Sequence, residues 1–251
     1  MNMRQIQSQS TPQIFRITPD VPVDVAGWWA ASDLNLANGA SITSWPSRAG
    51  VNNPLITDGV QPLPTYNNGS DALLNSRPHA NFAITARLIA TSDVMSAGSQ
   101  WTMFVVGAAT GAPLNFNIGG QSDAVVVLRN WFLMDSPGIF TGDLLRFRDH
   151  VETSAFISAQ DDVAHILCCR YDSGTLKVDV MIDAFGTSGP TLPGAITIPS
   201  GIFHLGKNTD GFGFDALPVV GEVIVYNRKL TVAEVNAVMH YLQAKFGITI
   251  A

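Results

Sequence analysis

The sequence predicts a mainly β domain closed by one C-terminal α-helix. Three observations predict it. Short apolar runs recur between turn residues, the chain holds 22 glycines and 14 prolines, and charged residues are 14% of the 251 positions. Soluble domains usually carry about 25% charged residues. Low charge with frequent Gly and Pro is the composition of many short strands joined by turns. Hydrophobic residues at 46% supply a sizeable core and exclude a disordered chain. A formal net charge of −6 argues against a nucleic-acid backbone as partner. The apolar runs are too short to span a bilayer, so no membrane partner is expected.

Taken in order, residues 1–12 are rich in Gln and Ser and read as a flexible N-terminal arm, with one domain over 13–251. The stretch MNMRQIQSQSTPQ has no apolar centre of the signal-peptide kind, so folding in a cytoplasm is expected. Strands are expected at Gln13–Thr18, Gly27–Ala31, Ser41–Trp45, Ala80–Ala90, Trp101–Ala108 and Ala124–Leu128. Further strands are expected at Val163–Tyr171, Thr175–Ala184, Ala195–Ile198, Ile202–Leu205 and Val219–Tyr226. Trp101–Val106 is nearly all apolar, as a strand covered on both faces should be. Asp172-Ser173-Gly174 lies between two strong runs and predicts a tight hairpin. Cys168 and Cys169 are strand neighbours that point to opposite faces, so both read as reduced and one as facing the core.

The last element is the helix. Thr231 with Glu234 three residues on forms a capping box. Val232, Val235, Val238, Met239, Leu242 and Phe246 make one apolar stripe, and Gly247 stands where a left-handed cap ends a helix.

The stretch GEVIVYNRKLTVAEVNAVMHYLQAKFGI at 221–248 resembles the closing strand and helix of concanavalin A-like, laminin-G-like jelly rolls. The residues that carry the resemblance are Glu222, Tyr226, Arg228, Leu230, Thr231, Glu234, Lys245, Phe246, Gly247 and Ile248. Trp28-Trp29-Ala30-Ala31-Ser32-Asp33, Ser41–Trp45, Pro64–Tyr66 and Leu74–Phe82 resemble the family's N-terminal runs. Ser76 departs from the family's glycine, and the Asp-Gly that usually follows Phe82 is missing. The resemblance implies a jelly-roll sandwich of two antiparallel sheets. It implies little about activity, since such folds host lectins, hydrolases and structural pieces.

The chemistry-bearing residues are sparse. A retaining glycosidase needs two carboxylates about 5–5.5 Å apart, and no strand carries them at suitable spacing; Asp179 and Asp183 are four apart, and Glu222 stands alone on an apolar strand. No G-x-S-x-G elbow occurs, and the histidines (His79, His150, His165, His204 and His240) show no zinc spacing. For sugar binding the candidates are Asn130, Trp131, Asn208, Asp210, Phe212 and Asp215, because rings stack on pyranose faces while amides and carboxylates bond hydroxyls. Phe214 is a further ring. Asn208, Asp210 and Asp215 are also the candidates for calcium, the one cofactor the sequence leaves open. Arg146-Phe147-Arg148-Asp149-His150 reads as a solvated strand edge. Asn68-Gly69-Ser70 matches a glycosylation acceptor and reads as a turn.

These readings lead to an expectation of a non-catalytic, lectin-like decoration protein on a virion, folded in a host cytoplasm. The N-terminal arm would anchor it to other assembly subunits, and it could touch glycans. A soluble carbohydrate-binding lectin is the alternative, and a glucanase-type glycoside hydrolase the third reading.

Overall fold

The computed structural model describes residues 21–49, 53–95, 100–108, 116–122, 129–135, 144–148, 152–156, 163–184, 202–207 and 215–250. In chain order, β1 (Val25–Ala30) leads through one 3-10 turn to β2 (Ser44–Trp45), β3 (Leu55–Ile56), β4 (Thr65–Asn67) and β5 (His79–Asn81). Then come β6 (Arg87–Ala90), β7 (Trp101–Ala108), β8 (Phe116–Ser122), β9 (Arg129–Asp135), β10 (Leu144–Arg148) and β11 (Glu152–Phe156). β12 (His165–Asp172), β13 (Lys177–Ile182), β14 (Ile202–Gly206), β15 (Asp215–Ala216), β16 (Val219–Tyr226) and α1 (Val232–Phe246) complete the chain.

These strands build a mainly antiparallel sandwich. One sheet has the order β13-β12-β7-β16-β5-β4, with β1 also on β16. The other has the order β11-β10-β9-β8-β14-β6-β3-β2, with β15 parallel to one end of β8. Alternation sorts the side chains of the first sheet. Trp101, Met103, Val105, Leu167 and Cys169 meet Trp45, Leu55, Leu88, Phe203 and Leu205 of the second sheet in one core. Their neighbours Phe104, Val106, Ile166 and Cys168 point the other way and meet Val235, Val238, Met239, Leu242 and Phe246 of α1 in a second core. The molecule is therefore layered sheet, sheet, helix. All eight residues of β7 are buried because both faces of that strand are covered. The adjacent thiols fall one to each core, and burial pushes both up from the ordinary cysteine value, which leaves them inert.

The helix forms as its caps dictate. Thr231 Oγ1 accepts from the Glu234 amide while the Glu234 carboxylate accepts from the Thr231 amide, and Gly247 closes the helix at φ 67°. Asn75, itself left-handed at φ 52°, donates to the Phe246 carbonyl at 2.7 Å and satisfies the exposed end.

Glu222 fastens the helix to its sheet. The pairing register of β16 shifts between Val220 and Glu222, so one residue is inserted at Gly221. Val220 and Val223 both lie in the inter-sheet core, and the shift turns Glu222 toward the helix. Only glycine fits the shift, because a Cβ there would stand 2.7 Å from Leu74 and Phe246 side-chain atoms. Glu222 is 1% exposed. Its Oε1 accepts from Trp28 Nε1 at 2.5 Å and Tyr241 Oη at 2.9 Å, and its Oε2 accepts from Lys245 Nζ at 2.6 Å.

The structure differs from the sequence expectation in places. Ala80–Ala90 forms two strands, one in each sheet, because Ala83–Ala86 turns the chain from one layer to the other. The loop after Asp172 is a four-residue connection, closed by the pair Asp172 and Lys177, and Leu176 takes the left-handed conformation at φ 56°. β8, β9 and β11 answer to none of the expected strands, while β10 holds Arg146–Arg148 of the expected strand edge and lies one strand inside the sheet's edge. The expected strands at Gln13–Thr18, Ala124–Leu128 and Ala195–Ile198 lie outside the described residues, as does the arm at 1–12.

Candidate functional site

Helix α1 seals the outer face of the seven-stranded sheet. Among the described residues no helix lies over the outer face of the nine-stranded sheet, and that face carries the candidate site. Its register can be followed from edge to edge. Ser44 pairs with Ile56, Ile56 with Ile89, Ile89 with His204, and His204 with Gly120. Gly120 then pairs with Trp131, Trp131 with Arg148, and Arg148 with Glu152. Neighbouring strands are about 4.8 Å apart, so this row is about 34 Å long. The next row, through Trp45, Leu55 and Ala90, belongs to the core. Ser44, Ile56, Ile89 and His204 therefore belong to the opposite face.

Polar groups sit on the floor of this face. Arg87 lies on β6 two residues before Ile89 and pairs across with Gly206 of β14. Its guanidinium donates from Nε and Nη2 to the one oxygen Asp58 Oδ2, and both side chains are 8% exposed. Burial raises the Asp58 carboxyl, but the amides of Gln61 and Val60 and the Arg87 guanidinium outweigh it and hold the group below its ordinary value. His204 is 6% exposed. Desolvation, assisted by the nearby Arg87 charge, lowers its pKa from 6.5 to about 4. At neutral pH it is a neutral imidazole with one donor and one acceptor nitrogen.

This shift gives a testable pH dependence. The folded state binds the His204 proton less readily than the unfolded chain, so stability rises with pH between about 4 and 6.5. The contribution lost on acidification is about 3 kcal/mol. Urea midpoints should fall between pH 7 and pH 4.5, and His204→Gln should flatten that slope. An unchanged slope in the variant would remove His204 as its source.

The sequence candidates fall unevenly on this surface. Trp131 occupies the row of His204 and Gly120. Asn130 occupies the alternate row, opposite Gln121 and in line with Phe203 of the core. Asp215 pairs with Phe116 at one end of β8, and Asn130 pairs with Gln121 near the other. Five residues of strand, about 17 Å, separate those two register positions. Asn208, Asp210, Phe212 and Phe214 lie outside the described residues. Among the described residues no group of three His, Cys, Asp or Glu is arranged to hold a metal. Arg146 and Arg148 lie on β10, one strand in from the edge formed by β11. Asp58, Arg87 and His204 were not singled out by spacing, since they come from three separated segments that pairing brings together. Glu222, the lone acid of the sequence reading, is committed to the helix tie and is not on this face.

No family model matches this chain, and no curated protein matches it by sequence. Solved structures do. Domain 4 of an extracellular arabinanase from Geobacillus stearothermophilus, in complex with arabinotriose, matches at TM-score 0.57 and 14% identity over 84% of this chain and 96% of that domain. An arabinofuranosidase complexed with arabinofuranosyl-α-1,2-xylobiose matches at TM-score 0.62 and 15% identity, over 82% of this chain and 51% of that one. Trypanosoma rangeli sialidase matches at TM-score 0.53 and 13% identity, over 90% of this chain and 33% of that one. The chain thus spans about half of the arabinofuranosidase and a third of the sialidase. At such identity the likeness is one of fold alone. This finding corrects two expectations. The solved relatives in fold belong to glycosidases and sialidases, which overturns the non-catalytic virion decoration protein and, with it, the reading of the chain as no enzyme.

Proposed function

We propose that the chain is a carbohydrate-active β-sandwich domain of glycoside hydrolase type, which captures a glycan along the outer face of its nine-stranded sheet. The observation that carries this reading is the row from Ser44 to Glu152, which crosses eight strands on the sheet face not sealed by the helix. A face about 34 Å long fits several sugar units of a polymer. The arabinotriose in the similar arabinanase domain supports a short oligosaccharide as a ligand class. The affiliation with concanavalin A-like, laminin-G-like jelly rolls belongs to the same proposal. It is supported by the residues at 221–248, which form β16 and the capped helix.

The test uses the full chain against arabinan and arabinoxylan, reading retardation in affinity gels and release of reducing ends. Retardation that saturates with polymer concentration, with reducing ends accumulating in proportion to protein, is the expected result. A chain that is neither retarded nor releases sugar from any polymer would overturn the proposal.

A further inference from the structure

The charge of this protein is unevenly spread. Over the whole chain 20 acidic residues outweigh 14 basic ones. The strands around Trp131 run against that balance. β9 reads RNWFLMD and β10 reads LLRFR. In β9, Arg129 and Trp131 are two apart, and in β10, Arg146 and Arg148 are two apart, so each pair holds like positions in the pleat. The register joins the two pairs. Arg148 stands opposite Trp131, Arg146 opposite Leu133, and Arg129 opposite Ser122 of β8. Three arginines and a tryptophan thus fall in one set of alternate positions across two adjacent strands, and Trp131 is in the row of His204. In that same set the described acids are Glu152 opposite Arg148 and Asp135 opposite Leu144.

We propose that the glycan captured on this face is acidic, carrying carboxylates that the arginines of β9 and β10 recognise. This rests on the glycan-capturing reading of the same face and adds the substrate class to it. The chemistry favours carboxylate. Guanidinium presents a fixed fork of donors that matches a carboxylate in a bidentate way, whereas a neutral sugar hydroxyl needs no formal charge. An aromatic residue among cations is the composition that suits a ring bearing a charged substituent. Adjacent strands about 4.8 Å apart and alternate residues about 6.8 Å apart set out the arginine positions as a grid rather than a point. A polymer with repeated carboxylates would meet several of them together.

The experiment is a binding comparison by isothermal titration with the full chain. The probes are oligomers of galacturonic acid, the same oligomers fully methyl-esterified, and neutral arabinan oligomers. The expected result is tenfold or stronger preference for the free acid over its ester, with affinity falling as salt rises from 50 to 300 mM, on the order expected for screened charges. The variant R146Q/R148Q should lose at least tenfold in affinity for the acid at unchanged Tm, and R146K/R148K should keep the salt dependence with weaker binding. A lowered Tm in the first variant shifts the reading to the second, where loss of the salt dependence overturns the proposal. Equal binding of acid and ester, or preference for arabinan, overturns the acidic class and leaves glycan capture standing. Binding of none of the three probes overturns both.

Discussion

Glu222→Ala is expected to destabilise the fold by about 3–5 kcal/mol, the range for breaking one side of a buried ion pair. The carboxylate is the one acceptor that Trp28, Tyr241 and Lys245 share. Its removal orphans two donors at about 1–3 kcal/mol each. Lys245 softens the loss, because its side chain is 22% exposed and can turn to water. Tyr241 connects outward to Arg48, which stacks over Trp28 at 5.4 Å from the ring and is bidentate on Asp33. The helix, β1 and the loop after β2 should therefore loosen together. Glu222→Gln keeps the shape and one acceptor oxygen and should recover part of the loss. Denaturant midpoints of the two variants check this. A loss below 1 kcal/mol for alanine would mean that the helix is held by its apolar stripe alone.

Trp29→Ala should cost about 3–5 kcal/mol, as expected for a large core side chain. Trp29 is fully buried, stacks on Phe203 with centroids 5.5 Å apart and planes 11° from parallel, and donates its indole N–H to the Asn53 carbonyl at 3.0 Å. Gly27 makes room for it, since a Cβ there would stand 2.3 Å from the ring. The consequence reaches the candidate site. Phe203 precedes His204 on β14, so loss of the stack leaves a cavity directly beneath the strand that carries the imidazole. Both the midpoint and glycan affinity should fall in this variant. A large stability loss with affinity unchanged would show that the floor of the face is set by β6 and β8 alone.

Much of the fold was legible in the sequence. Trp101–Ala108 was read to its last residue, because a nearly all-apolar run of strand length bounded by turn residues marks a strand covered on both faces. The helix was legible through Thr231, Glu234 and Gly247, whose roles are local. Of the sequence candidates, Trp131 falls by register on the row of His204. His204, Arg87 and Asp58 become a set through pairing between distant strands, and no local pattern encodes such pairing. Arg146 and Arg148 were visible as a charged patch, but their place one strand inside the edge depends on β11, whose sequence ETSAF has little apolar signal. Asn130 and Trp131 look equivalent as neighbours, and the pleat separates them.

The central claim is that the outer face of the nine-stranded sheet holds glycan. Hydrogen–deuterium exchange with and without saturating oligosaccharide tests it most directly. New protection is predicted in β6, β14, β8, β9 and β10, with α1 unchanged. Protection confined to α1 or to the loop between β4 and β5 would contradict it.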